Sequence, residues 1–138
     1  MDLQSTISIA QINTYSLEYY IYRNQQVYSV YGATTNNGNY ATGDGTWTSI
    51  ADVHSTASAV RGTNSLQGVS ITDSTGIVGS YRYLLFTVSP SDNGPGVGQV
   101  GTFYGEFDVV KAVPEPSTIA LLTTGLLGLL AYAWRKRK

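Results

Sequence analysis

The last 26 residues, Val113 to Lys138, constrain this chain most, because three segments of different physical character follow one another there. The first is Val113-Pro114-Glu115-Pro116-Ser117. Its two prolines fix their own φ and favour an extended backbone in the residues before them, so Glu115 is held out on a stiff, hydrogen-bond-poor strut. Ser117 is a suitable N-cap for a helix that begins after it. An exposed, extended segment of this kind can be bound by another protein.

The second segment, residues 118–134, consists of seventeen mostly apolar residues. At about 1.5 Å per residue, it spans roughly 25 Å as a helix, near the lower limit for crossing a bilayer. The sequence therefore predicts a single transmembrane helix over 118–134. The third segment is a basic stop at 135–138 that is expected to remain on the cytoplasmic side, and it consists of Arg135, Lys136, Arg137 and Lys138.

In this order, the three segments resemble the PEP-CTERM sorting signals of Gram-negative bacteria. The resemblance implies recognition by exosortase, a membrane-embedded enzyme similar to cysteine transpeptidases, and release of the upstream domain to the envelope or extracellular matrix. It implies a precursor in the inner membrane with a cytoplasmic C-terminus, and hence the lipid bilayer as a second partner. An ordinary single-pass anchor after a proline linker is the alternative.

The composition of residues 1–110 indicates an all-β domain, because it is rich in Thr, Ser, Tyr, Val and Gly and no 3.6-residue period is sustained there. Strands are expected at 7–15, 27–31, 47–53, 66–71, 81–88 and 102–110. Their spacing predicts an antiparallel β-sandwich over 1–110, followed by a proline-rich linker at 111–117.

Charge and cysteine content narrow the function classes further. Residues 1–112 hold four Lys/Arg against eight Asp/Glu, a balance of −4 that argues against a nucleic-acid partner. The absence of cysteine excludes disulfides and a thiolate nucleophile. Because Met1-Asp2-Leu3-Gln4 has no basic region followed by an apolar run, we expect that the chain begins late and that a signal peptide precedes it.

A second resemblance lies within the β-rich region. The order of Asp44-Gly45…Trp47, Tyr81-Arg82-Tyr83-Leu84 and Glu106-Phe107-Asp108-Val109 is similar to discoidin-type, galactose-binding-like jelly rolls. The resemblance implies a jelly-roll fold with Trp47 in its core. The opening strands of such a domain are expected in the missing N-terminal part.

Few residues suggest catalysis. His54 lies two residues from Asp52, but no serine has a nucleophile-elbow context, so His54 is expected at the surface. Glu106 and Asp108 are expected to bond to loop backbone or to Arg82 rather than flank a sugar cleft. We predict no enzymatic activity, cofactor or metal site, with calcium binding as the alternative at three turns, those of Asp44, Asp73 and Asp92-Asn93.

Loop aromatics indicate where a ligand could bind, because rings in loops can stack on sugars. The candidates are Tyr20, Tyr22, Arg23 and Tyr40. The sequence thus predicts a non-enzymatic exported envelope or matrix protein, associated with exopolysaccharide and sorted by exosortase. The alternatives are a carbohydrate-binding module proper and the C-terminal fragment of a surface hydrolase.

Overall fold

A computed structural model of the chain describes residues 1–17, 25–43, 45–56, 66–90, 102, 104–113 and 118–136. These residues form six β-strands and one helix. In chain order the elements are β1 (Asp2–Leu17), β2 (Val27–Ala33), β3 (Thr48–His54), β4 (Leu66–Thr72), β5 (Gly79–Val88), β6 (Tyr104–Lys111) and α1 (Thr118–Arg135). The all-β character of the region before α1 is confirmed.

Strand β1 organises the sheet, because it pairs with three other strands. Its first half lies antiparallel to β5, and its second half lies between β4 and β6. Ile9 belongs to both halves, since it pairs with Gly79 of β5 and with Lys111 of β6. All pairings are antiparallel, and the order β3-β2-β5-β1-β4 has β6 added on β1.

The predicted jelly-roll sandwich therefore needs correction. The six strands form one hydrogen-bonded sheet that curls over on itself, rather than two separate sheets. The physical reason is the length of β1, whose 16 residues are enough to contribute to both halves.

The core lies between the two halves of this curled sheet. Its fully buried members come from β1, β2 and β5, and they are Ile9, Ile12, Tyr28, Val30 and Leu84. Aromatic rings of β6 close the core from the other side: Tyr104 meets Tyr28 edge-on at 6.0 Å between ring centroids, and Phe107 meets Phe86 at 4.6 Å. These edge-to-face contacts hold β6 over β2 and β5 although neither strand pairs with β6.

A buried polar network ties the two halves together at one end of the core. Thr14 Oγ1 donates to Gln26 Oε1 at 2.5 Å and lies 2.6 Å from the Tyr28 hydroxyl. Because Gln26 Oε1 can only accept and the threonine hydroxyl has a single hydrogen, Tyr28 is the donor to Thr14. Burial raises the pKa of Tyr28.

Gln26 carries this network to two further strands. Its side-chain Nε2 donates to the backbone oxygen of Gln67 in β4 at 2.9 Å, and its backbone N–H donates to Ser55 Oγ, just after β3, at 2.8 Å. Ser55 Oγ donates in turn to Gln67 Oε1 at 2.9 Å. A polar side chain with no exposed surface is thus fully paired, as burial requires.

The ring of Tyr81 packs against two glycines, Gly32 and Gly79. A Cβ built on Gly32 would lie 2.5 Å from Cδ1 and Cγ of Tyr81, and Gly79 meets the other edge of the same ring. The Gly32 contact involves the base of the ring, which a small rotation of the side chain cannot move away.

We expect Gly32→Ala to lower the free energy of unfolding by about 1 to 3 kcal/mol, because the added methyl overpacks the ring. Urea unfolding followed by tryptophan fluorescence measures this. Gly43→Ala is the matched control, since a Cβ there meets nothing within 4 Å. Equal stability of the two variants would contradict the tight packing of Tyr81 on Gly32.

The predicted transmembrane helix over 118–134 is wrong. Within the parts of the chain that the structure describes, no helix combines the length and the apolar character needed to cross a membrane. Helix α1 does form over Thr118–Arg135, but its apolar residues are interrupted by polar or small ones, namely Thr118, Thr123, Thr124, Gly125 and Gly128.

Candidate functional site

The C-terminal segment leaves the β-domain at a fixed point. After β6 ends at Lys111, the backbone N–H of Ala112 still donates to Ser8 O at 2.8 Å. Val113 is then 83 % exposed. Glu115 follows Ala112 by three residues, and its Cα is therefore within about 11 Å of the Ala112 Cα.

A turn beside this exit is held in place by its own side chains. In the turn between β4 and β5, Asp73 Oδ1 accepts from Thr75 N at 2.8 Å and from Thr75 Oγ1 at 2.6 Å. These bonds lower the pKa of Asp73. Val78 N donates to Ile9 O at 2.8 Å, which fastens the turn to β1. The carboxylate of Asp73, a candidate calcium ligand, is thus used within its own turn.

A groove of about 450 Å³ runs between this turn and the exit. We name it the exit groove, and it is lined by Ser8, Ala10, Thr75, Gly76, Ile77, Ala112 and Val113. Its apolar lining includes Ile77, which is about half exposed. The exit groove therefore adjoins the point from which the chain continues toward the motif.

Helix α1 displays large apolar side chains that are more than half exposed. They are Leu122, Leu126, Leu127, Leu129, Tyr132 and Trp134. An apolar surface of this kind marks a site of interaction with another molecule. The helix ends in Arg135, and Lys136 N still donates to Tyr132 O at 3.2 Å, so the basic residues continue directly from the apolar surface.

Several predicted site residues fall outside the described part of the chain. These are Pro114, Glu115, Pro116 and Ser117 of the sorting motif, Arg137 and Lys138 of the basic stop, and Tyr20, Tyr22 and Arg23 of the ligand loops. Val113, Arg135 and Lys136 are described and exposed, which suits residues that meet a partner.

Tyr40 is the predicted ligand residue that the structure describes. It lies apart from the strand ends that flank residues 18–24, the segment holding the other three candidates. Those strand ends, Leu17 and Val27, are at the end of the core where Gln26 contacts Gln67. Tyr40 follows the opposite end of β2 and packs beside Trp47 with 6.3 Å between ring centroids. Trp47 is 6 % exposed, as predicted for a core tryptophan.

The charged residues are arranged differently from the prediction. Arg82 pairs with Asp2, at 3.1 Å from Nε to Oδ1 and 3.3 Å from Nη2 to Oδ2, rather than with Glu106 or Asp108. The hydrogen bond from Arg82 lowers the pKa of Asp2. Arg82 lies on β5 beside the first half of β1, which brings Asp2 next to it.

His54 is exposed at the end of β3, where its Nε2 lies 3.5 Å from Gln25 Nε2. Its surface position is as predicted.

Sequence reasoning missed the lining of the exit groove by Ser8 and Thr75, because it depends on contacts between distant parts of the chain. The pairing of β1 with β6 brings Ser8 to Ala112, and the bond from Val78 to Ile9 holds the turn of Thr75 beside β1.

Comparison with known proteins identifies the C-terminal segment. Residues 112–138 match the family model of the PEP-CTERM protein-sorting motif. No curated protein and no solved structure matches the chain. The chain therefore carries a PEP-CTERM sorting motif that begins where the β-domain ends, which implies exosortase as its processing partner and secretion or the cell envelope as its destination.

Proposed function

We propose that this chain is a non-enzymatic protein of the extracellular matrix, delivered by exosortase and retained there with exopolysaccharide. The observation that carries the proposal is the position of the motif. Its match begins at residue 112, and among the described residues no later one is shown hydrogen-bonded to the sheet. Processing at the motif would therefore separate an intact β-domain from α1.

The exit groove supports a specific role for the β-domain in processing. Because Glu115 stays within about 11 Å of Ala112, exosortase would contact the domain edge at Thr75 to Ile77 as well as the motif. The exposed leucines of α1 provide a second contact, since apolar surface is buried favourably against a partner. The proline-rich segment 113–117, the exit groove and α1 would together form the surface that exosortase recognises.

The non-enzymatic part of the proposal is supported by the arrangement of the polar residues. Glu106 and Asp108 are exposed on β6. The buried polar side chains around Gln26 are bonded to one another, which suits a structural role. The net charge of −4 over residues 1–112 disfavours close association with strongly acidic polymers and favours a neutral polysaccharide.

The proposal predicts three distinct fates for the chain, epitope-tagged at its own locus. In a strain with exosortase, we expect a shortened chain in the matrix fraction. In the isogenic strain lacking exosortase, we expect the full-length chain in the cell fraction. In a strain lacking exopolysaccharide, we expect the shortened chain in the medium.

Immunoblots of cell, matrix and medium fractions measure these fates. Full-length chain inside the cells of all three strains would overturn the proposal. Shortened chain in the medium of both exosortase-positive strains would overturn matrix retention alone.

A further inference from the structure

The loop between β2 and β3 presents an aromatic ring on a rigid base. Tyr40 is 61 % exposed, whereas the Trp47 ring stacked on it, at an interplanar angle of 28°, is almost completely buried. Trp47 Nε1 donates to Asn39 O at 2.9 Å, which fixes the indole. The outer face of Tyr40 is therefore presented to solvent from a fixed support, an arrangement that suits stacking on a ligand.

The loop that carries Tyr40 is ordered by its own asparagines. Asn36 Oδ1 accepts from Gly38 N, Asn37 Oδ1 accepts from Asn39 N, and Asn39 Oδ1 accepts from Ala41 N, at 2.9 to 3.0 Å. Each bond closes a local turn. The orientation of Tyr40 is therefore set before any ligand arrives, which lowers the entropic cost of binding.

A groove of about 390 Å³ opens beside the two rings. Its lining includes the polar residues Asp2 and Asn36 and the aromatic residues Tyr40, Trp47 and Tyr83. The volume is within the range of small-ligand sites, and the combination of aromatic faces with a few polar groups is typical of them. We name this groove the Tyr40 groove.

The charged groups at the Tyr40 groove have partners within the chain. The carboxylate of Asp2 is paired with Arg82, whose guanidinium also lies 5.0 Å from the centroid of the Tyr83 ring. The ammonium of Met1, which also lines the groove, donates to the backbone oxygen of Leu84 at 2.8 Å. A neutral ligand rich in hydroxyl groups can bond to the remaining acceptor capacity of the carboxylate without displacing these partners.

We propose that the Tyr40 groove binds a neutral pyranose unit of a polysaccharide. The C–H bonds on one face of a pyranose are weakly positive and stack on the negative face of an aromatic ring, here Tyr40. The equatorial hydroxyl groups then reach the carboxylate of Asp2 and the amide of Asn36. The inference deepens the proposed function by naming the polymer class, and it rests on that function for its biological setting.

Saturation-transfer NMR on the full-length chain tests the site, with maltose, lactose and mannobiose as probes. We expect transfer to the ring protons of at least one of the three sugars. Tyr40→Ala should weaken binding by about tenfold or more, because it removes the stacking face. Tyr40→Phe should bind as the wild type does, because it keeps the ring.

Tyr132→Ala is the matched control, since Tyr132 is similarly exposed, at 64 %, but lies on α1. Trp47 fluorescence checks that each variant is folded. The site is overturned if the wild type binds none of the sugars, or if Tyr40→Ala binds as well as Tyr132→Ala does. Failure of processing by exosortase leaves this measurement unaffected, so the two proposals fail separately.

Discussion

A chain in which Pro114, Glu115 and Pro116 are all replaced by alanine is expected to remain full length and cell-associated in a strain that carries exosortase. The replacement removes the carboxylate and the stiff backbone that presents it. For a carboxylate that the enzyme pairs with a buried cation, loss of one partner costs about 2 kcal/mol or more. Cleavage should therefore slow by at least roughly thirtyfold, since every 1.4 kcal/mol is a factor of ten. Pulse-chase labelling with immunoprecipitation measures the rate.

Two matched variants separate recognition from general damage. Glu106→Ala removes an exposed carboxylate from β6, and Pro90→Ala removes a proline that follows β5. Both should be processed at the wild-type rate, because neither residue belongs to the motif. Normal release of the triple variant would show that exosortase does not recognise Pro114-Glu115-Pro116. The exit groove and α1 would then remain as the recognised parts.

Local composition was sufficient to predict the strands. The β-prone run 27–31 became β2 (Val27–Ala33), and the run 81–88 became most of β5 (Gly79–Val88). Strand propensity and turn residues act over a few neighbours, so a single sequence contains both signals. The sorting motif was predictable for the same reason, because its three segments are contiguous.

Pairing between distant strands could not be predicted in this way. The double role of Ile9, which pairs with Gly79 and Lys111, depends on contacts about 70 and 100 residues away along the chain. The Arg82 partner was wrong for this reason, since only the register of β1 with β5 places Asp2 beside it.

The prediction of a helix over 118–134 held, but the prediction that this helix crosses a membrane did not. The run of mostly apolar residues over 118–134 favoured a membrane span, but length and average apolar character together decide whether a helix can cross a membrane. A segment of about 25 Å with three threonines and two glycines lies close to that limit.

Gln26→Ala is expected to destabilise the β-domain by about 3 to 5 kcal/mol. The side chain of Gln26 has no exposed surface and bonds both the hydroxyl of Thr14 and the backbone oxygen of Gln67. Its removal leaves an unfilled space and the buried Thr14 hydroxyl without its acceptor, and an unpaired buried group of this kind costs about 1 to 3 kcal/mol. The same bonds connect β2 to β1 and β4 across the core, so the variant loosens the two halves of the sheet together. Urea unfolding monitored by circular dichroism measures the change.

Gln11→Ala is the matched control, because it removes the same side chain from a partly exposed position. Its partners Asn13 and Ser70 stay bonded to each other at 2.6 Å when Gln11 is gone, so no polar group is left unpaired. We expect a loss below about 1 kcal/mol there. If Gln26→Ala costs no more than Gln11→Ala does, water has entered the space and replaced the amide. The connection between the halves would then depend on the apolar and aromatic contacts of β6 with β2 and β5, and not on the buried polar network.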